Sequence, residues 1–178
     1  MKFVELALGI SNSVGNYSSA EHGLGPKILR TNPNAEKQVF DLALKFADLT
    51  TARLVPEMIR DAQIKNLKIS VGSEISCMVN PRICWVANVR TIWTHLVIKH
   101  GDNVQLADEE LRLYRDSDES SKMSYAKWAA IHAELDVALT RISEQSLEVC
   151  DKMLFPPQRI SYLWADAIAS DLYEMYHG

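Results

Sequence analysis

The nearest approach to a catalytic signature in this sequence is the run Arg90-Thr-Ile-Trp-Thr-His95, an arginine and a histidine five positions apart. On a regular helix five residues turn through roughly 140°, given 3.6 residues per turn, so the two side chains converge only across a distortion or a subunit boundary. His132 and Asp136 are four apart, the spacing of a base and its orienting carboxylate, and equally of a simple hydrogen-bonded pair on a helix surface. His95, His100 and Asp102 carry donor atoms that suit zinc or iron, but positions 95 and 100 do not share a helix face. His100, next to Gly101, is better explained as a cation at a helix C-terminus. His22 lies in a Ser/Gly-rich stretch, where a titratable group on a flexible backbone could serve a ligand lid. No set of residues has metal-ligand spacing, and no cofactor is expected.

The Arg-x4-His run resembles the Arg-x4-6-His motif of the HEPN ribonucleases, small helical bundles that cleave RNA as dimers. That resemblance implies a phosphate-stabilising role for Arg90 and assistance to 2′-hydroxyl attack by His95. The sequence departs from the family pattern at Thr91, where a polar Asn, Asp or His usually follows the arginine. Phosphate-cradling glycine loops, nucleophile elbows and His-Glu-x-x-His pairs are all missing from the sequence.

Helical periodicity dominates the elements that must position these groups. Residues 33–49 read as a helix opened by Asn32-Pro33, with Val39, Phe40, Ala43, Leu44, Phe46 and Ala47 recurring at helical spacing. A second helix is expected from Thr51 or Val55 to Lys65, because Pro56 belongs in a first turn. Asn80-Pro81 and Gly101 bracket an apolar stretch that reads as one central, buried helix bearing both Arg90 and His95. A shorter helix runs from Asp102 or Asn103 to Arg115, and a turn is expected at 116–121. One stripe then persists from Ser121 to Leu154, broken at Ser146 and stopped by Pro156-Pro157, before a last helix from Arg159 to Tyr176.

Three stretches read differently. Residues 3–10 fit strand and helix alike; Leu67, Ile69 and Val71 alternate as a short strand would; and residues 11–26 read as a long Ser/Gly-rich loop. The resulting expectation is an all-α, single-domain helical bundle of six to seven helices over residues 1–178, with room for one short strand pair near the N-terminus.

The last helix shows two apolar faces. Ile160, Trp164, Ala167, Ile168 and Met175 make one stripe, and Tyr162, Ala169, Tyr173 and Tyr176 the other. One face is expected to enter the bundle, leaving Tyr162, Tyr173 and Tyr176 as candidates for a partner or subunit interface.

Composition bounds the remaining choices. In 178 residues, 47% hydrophobic and 24% charged side chains suffice to bury a core without disulfides or a structural metal. Three cysteines, Cys77, Cys84 and Cys150, match neither a zinc knuckle nor a redox pair and fit reduced thiols in a cytoplasm. No apolar run approaches the ~20 residues that span a bilayer, and the N-terminus lacks the pattern of a signal peptide. The net charge of −4 is unevenly spread, with residues 1–100 basic and 101–178 acidic, and no Lys/Arg cluster marks a nucleic-acid binder. These readings favour a non-catalytic interaction or regulatory protein that contacts another protein or a second copy of itself. The HEPN-like ribonuclease is the alternative, and a metal-dependent helical hydrolase built from dispersed ligands is the third reading.

Overall fold

The computed structural model describes residues 2–10, 15–115, 122–149 and 157–178. These residues are all-α. They form α1 (Lys2–Ala7), α2 (Tyr17–Glu21), α3 (Leu24–Thr31), α4 (Ala35–Ala47), α5 (Val55–Ala62), α6 (Ile69–Val79), α7 (Val89–Lys99), α8 (Val104–Arg115), α9 (Lys122–Val149) and α10 (Pro157–His177), with a 3-10 turn at Ala52–Leu54 before α5. Two hubs organise the packing. In the N-terminal half α6 touches α2, α4 and α5; in the C-terminal half α7 is flanked by α8, α9 and α10. The halves meet where α6 contacts α9 and α10, and the buried side chains form one connected cluster running from Val4 to Ala165. Among the described residues no helix is long and apolar enough to cross a membrane.

α6 is buried on every side from Val71 through Cys77, as expected of a helix with no polar face beyond serines and one acid. Gly72 lets α5 approach it, since a Cβ there would overlap the side chain of Ile59. Its serines face the chain that follows: Ser73 Oγ accepts the backbone N–H of Ala87 at 2.9 Å, and Ser76 Oγ donates to the Ser73 carbonyl at 2.6 Å.

Four expectations are corrected. There is no strand among the described residues: 2–7 coil as α1, and the alternating residues Ile69 and Val71 open α6, because tertiary burial on all sides overrides a two-residue alternation. The stretch expected to be a loop at 11–26 holds α2 and the start of α3, while residues 11–14 lie outside the described residues. Asn16 makes the difference, since its side chain caps α2 through Ser19 N at 2.9 Å and donates to the Val71 carbonyl at 2.8 Å. Asn80-Pro81 does not start a helix. Asn80 ends α6, and its side-chain amide is spent on the α4 C-terminus, donating to the carbonyls of Phe46 and Leu49 at 3.1 and 3.0 Å. Residues 80–88 are therefore irregular, and α7 begins only at Val89 under a capping box: Asn88 Oδ1 accepts Thr91 N at 3.0 Å and Thr91 Oγ1 accepts Asn88 N at 3.1 Å. Finally the described residues form ten α-helices rather than six or seven, through the short N-terminal helices.

Other elements fall near their expected bounds. α4 starts two residues after the predicted Asn32-Pro33 signal, because Asn32 is engaged elsewhere, accepting Lys65 N at 2.9 Å and donating to the Lys65 carbonyl at 3.1 Å. α8 is capped by Asn103, which accepts Leu106 N at 3.1 Å. The break in the α9 stripe at Ser146 has a local partner, the Ser143 carbonyl at 2.9 Å, and Ser143 Oγ reaches across to the Ser161 carbonyl of α10 at 2.7 Å. The turn expected at 116–121, the stretch 150–156 with Cys150 and Met153, and the side chain of Ile160 lie outside the described residues.

Close approach rather than backbone freedom decides one glycine. A Cβ on Gly25 of α3 would overlap the carbonyl oxygen of Leu8 and the side chain of Ile10, so α3 can cross the end of α1 only as glycine. Gly25→Ala is expected to cost about 2 kcal/mol or more in urea denaturation, in the range of overpacked cores. Gly101→Ala, where a Cβ meets no atom but φ is 60°, should cost only about 1 kcal/mol. Equal losses would show that the crossing is not the constraint.

Candidate functional site

The densest group of chemically active side chains forms where α10 and α2 meet the start of α7. Asn88 and Arg90 come from the α7 N-terminus, Glu74 from α6, Tyr17 and Glu21 from α2, and Asp166 and Glu174 from α10. Arg90 is the centre. Its Nη2 donates to Glu174 Oε1 at 2.6 Å and to the Tyr17 hydroxyl at 2.8 Å, and its Nη1 lies 3.6 Å from Glu21. The guanidinium also covers the Tyr17 ring at 4.4 Å from its centroid. Only 12% of the Arg90 side chain is exposed. Burial alone would lower its pKa, but the bonds to Glu174 and Tyr17 outweigh that and raise it.

Glu74 is buried, and its carboxylate accepts the backbone N–H groups of Tyr17 and Ser18, the latter at 3.0 Å. Burial raises its pKa, and those two amides hold it partly back. Asp166 has a poorer share. Among the described residues its hydrogen-bond donor is the Asn88 side-chain amide at 3.4 Å, and burial followed by repulsion from Glu74 pushes its carboxyl up to about 7. Cys77, fully buried on the next turn of α6 from Glu74, is driven well above the usual thiol range by burial and then by Asp166. Cys84 is pushed up to about 11 by burial, so neither thiol is a ready nucleophile.

His95 does not join Arg90. It faces α9, where its Nε2 lies 3.3 Å from Glu134 Oε2, and burial lowers its pKa against that partner's pull. The ion pairs and hydrogen bonds of each residue exclude the other, in keeping with five residues of helical rotation. His100 sits 2.7 Å from Glu110, which also accepts Lys99 at 2.6 Å; burial raises Glu110, and the bonds to Lys99 and His100 bring it below the ordinary range. His22, exposed in the α2–α3 turn, lies 3.9 Å from Glu21. Among the described residues no group of three His, Cys, Asp or Glu side chains is placed to hold a metal.

The His132–Asp136 pair expected from spacing is not formed. Asp136 instead accepts the Tyr162 hydroxyl at 2.9 Å. His132 is fully buried and stacked on Trp85 at 5.0 Å, with no hydrogen-bond partner for either ring nitrogen among the described residues. Burial lowers its pKa to about 4. Its backbone, not its ring, serves the core, since its carbonyl accepts Trp85 Nε1 at 2.8 Å.

The tyrosines of α10 line the face that docks on the bundle, together with the fully buried Ala165 and Ala169. Tyr162 packs on Trp85 at 5.6 Å, and burial pushes its hydroxyl up to about 12. Tyr173 meets Trp93 edge-on at 5.5 Å. Of the three interface candidates only Tyr176 is largely exposed, at 58%, beside Met175.

Sequence reasoning found Arg90 and missed its surroundings. Glu74 was detectable as the one acid in the otherwise apolar and serine-rich stretch 67–79, and Asp166 as the one acid between Ala165 and Ala167. Tyr17 and Asn88 gave no comparable signal. No protein-family model matches this chain, and no curated protein or solved structure does either.

His132 makes a clean prediction. Its folded pKa of about 4 lies below its ordinary value of 6.5, so the unfolded chain takes up the proton first, and stability is lost as pH falls from 6.5 toward 4. His132→Phe removes that loss. Its stability advantage over the parent should grow by about 2 kcal/mol between pH 7 and pH 4.5, read from urea midpoints. A gap independent of pH would show that His132 is not held neutral.

Proposed function

We propose that this chain is a non-catalytic interaction or regulatory protein that binds an amphipathic helix of a partner protein on the outer surface of α8. The observation that carries the reading is the exposure of Leu106 and Leu113, 44% and 65%, two turns apart on a helix whose opposite side is already anchored by Ala107 and Leu111. With Tyr114 they line a shallow groove of about 610 Å³ bordered by His100, Glu109, Glu110 and Lys127. Apolar anchors one or two turns apart are what a helix laid in a groove reads. The rim carries both signs of charge, and Glu110 is already paired with Lys99 and His100, which suits a protein surface better than a phosphate backbone.

The ribonuclease reading assigns Arg90 and His95 instead. For it, Arg90 must exchange Glu174 for a phosphate, and His95 must exchange Glu134 for a 2′-hydroxyl. The hydrolase reading needs ligands that the described residues do not group.

The test uses the whole chain as bait, beside a Leu106→Glu, Leu113→Glu variant whose exposed substitutions should change stability by less than about 1 kcal/mol. A partner retained by the parent and by Arg90→Ala, but lost by the leucine variant at unchanged circular dichroism, supports the proposal. Partner binding indifferent to the two leucines overturns it. So does RNA cleavage by the parent that disappears in both Arg90→Ala and His95→Ala.

A further inference from the structure

α4 carries a second apolar surface that the bundle does not fill. Its core side is occupied by Val39, Leu42, Ala43 and Phe46, yet Phe40 and Leu44, one turn apart on the other side, stay 47% and 53% exposed. Phe3 of α1 meets Phe40 edge-on at 6.0 Å and widens the surface. α4 packs on α1, α3, α5 and α6, whereas the groove on α8 belongs to the other hub, with α7 and α9. Neither surface covers the other within one molecule.

The two surfaces suit each other. The groove lined by Leu106 and Leu113 takes an amphipathic helix with apolar anchors about a turn apart, and α4 presents that pattern already folded, so docking orders no new segment. Charge matches as well. Lys37 and Asp41 of α4 pair with each other at 2.5 Å, which leaves Glu36 and Lys45, near its two ends, without an ion-pair partner among the described residues. On the groove rim Glu110 is taken by Lys99 and His100, and Glu109 and Lys127 are left in the same condition. Glu36 set against Lys127 and Lys45 against Glu109 would satisfy all four. In the wider field, the half of the chain that bears α4 is net basic and the half that bears α8 is net acidic.

A symmetric use of the groove is worse. Were two α8 helices to pair about a twofold axis, Leu106 would face Leu113 of the second copy and Glu109 would face its Glu110, acid on acid at the centre.

We propose that the occupant of the α8 groove is α4 of a second copy of this chain, docked head to tail through Phe40 and Leu44. This rests on the reading of the groove as a helix site and names its partner. A contact between two different surfaces leaves one of each free at the ends, so copies add in a row unless a ring closes. Both surfaces are small, so the contact is weak and dissociates on dilution.

The experiment is sedimentation velocity of the intact chain over a wide range of concentration. The parent's average mass should rise with concentration past that of a dimer. Leu44→Glu, which spoils α4 and spares the groove, should stay monomeric, and so should Leu106→Glu, Leu113→Glu, which does the reverse. Mixed, the two should form a one-to-one dimer and stop there, because the surfaces left over are both spoiled. Lys45→Glu, which leaves every apolar side chain in place, should weaken association about threefold, and adding Glu109→Lys should restore it. A parent that is monomeric at every concentration overturns the inference, as does association that survives in either leucine variant or a mixture that stays monomeric. Capture of a foreign helix by a monomeric parent, lost with Leu106 and Leu113, keeps the groove and overturns only its assignment to α4.

Discussion

One buried carboxylate constrains more of this fold than any other side chain. α6 is enclosed on every side, and Glu74 in its middle must be either neutralised or supplied with donors. The chain supplies them by folding residues 17–21 into a single helical turn whose free N-terminal amides end on Glu74, a use of helix-end donors that lets a five-residue helix persist far below the length at which helices are stable alone. α2 is tethered again by Asn16 to the Val71 carbonyl and by Ser19 Oγ to the Leu8 carbonyl at 2.7 Å. Its placement puts the Tyr17 hydroxyl within reach of Arg90, so the arginine that looks catalytic in sequence is drawn into holding α2, α7 and α10 together.

That sequence of dependencies explains what could be read in advance. α4, α5, α8 and α9 were legible because each has one apolar stripe, and α10 because it has two, and periodicity reports a stripe faithfully. α6 and α7 are buried nearly all round, and for such helices spacing carries little information about where they begin. Asn80 and Asn32 illustrate the failure. Each stands before a proline as an N-cap should, yet each has its amide claimed by a distant carbonyl, Phe46 for Asn80 and Lys65 for Asn32. A cap is recognised by local spacing, while the competition for its side chain is tertiary. The N-terminal helices escaped for the same reason, since serine and asparagine that favour turns in isolation are here satisfied by α6 and by each other.

The candidate site was legible only in part. Arg90 stood out by type, but its assigned partner, His95, points to Glu134 on another helix, and the groups that do surround Arg90 come from α2, α6 and α10 with no sequence spacing to link them. The two faces of α10 were expected to serve the bundle and a partner, and two of the three tyrosines, Tyr162 and Tyr173, pack on tryptophans of the bundle. Aromatic rings with one polar tip pack well against tryptophan when the hydroxyl finds a partner, and Tyr162 has Asp136 for that purpose and Trp85 for its ring. Tyr162 and Tyr173 thus have uses inside the bundle, whereas Tyr176 and, on α8, Leu106 and Leu113 are left exposed.

His132 and Asp166 are both shifted into the acid range by burial, and they act on stability in opposite senses. Between about pH 4 and pH 6.5 the folded chain forgoes a proton that unfolded His132 would bind, so unfolding takes one up; over much the same interval folded Asp166 keeps a proton that the unfolded carboxyl would release. The two contributions to the slope are opposite in sign wherever both windows overlap. They do not cancel for a motion that exposes one group without the other. His132 lies on α9, stacked on Trp85, and Asp166 lies on α10 against Asn88, so the two groups belong to different packing contacts. Proton linkage belongs to the conformational step that exposes a group and not to the molecule as a whole.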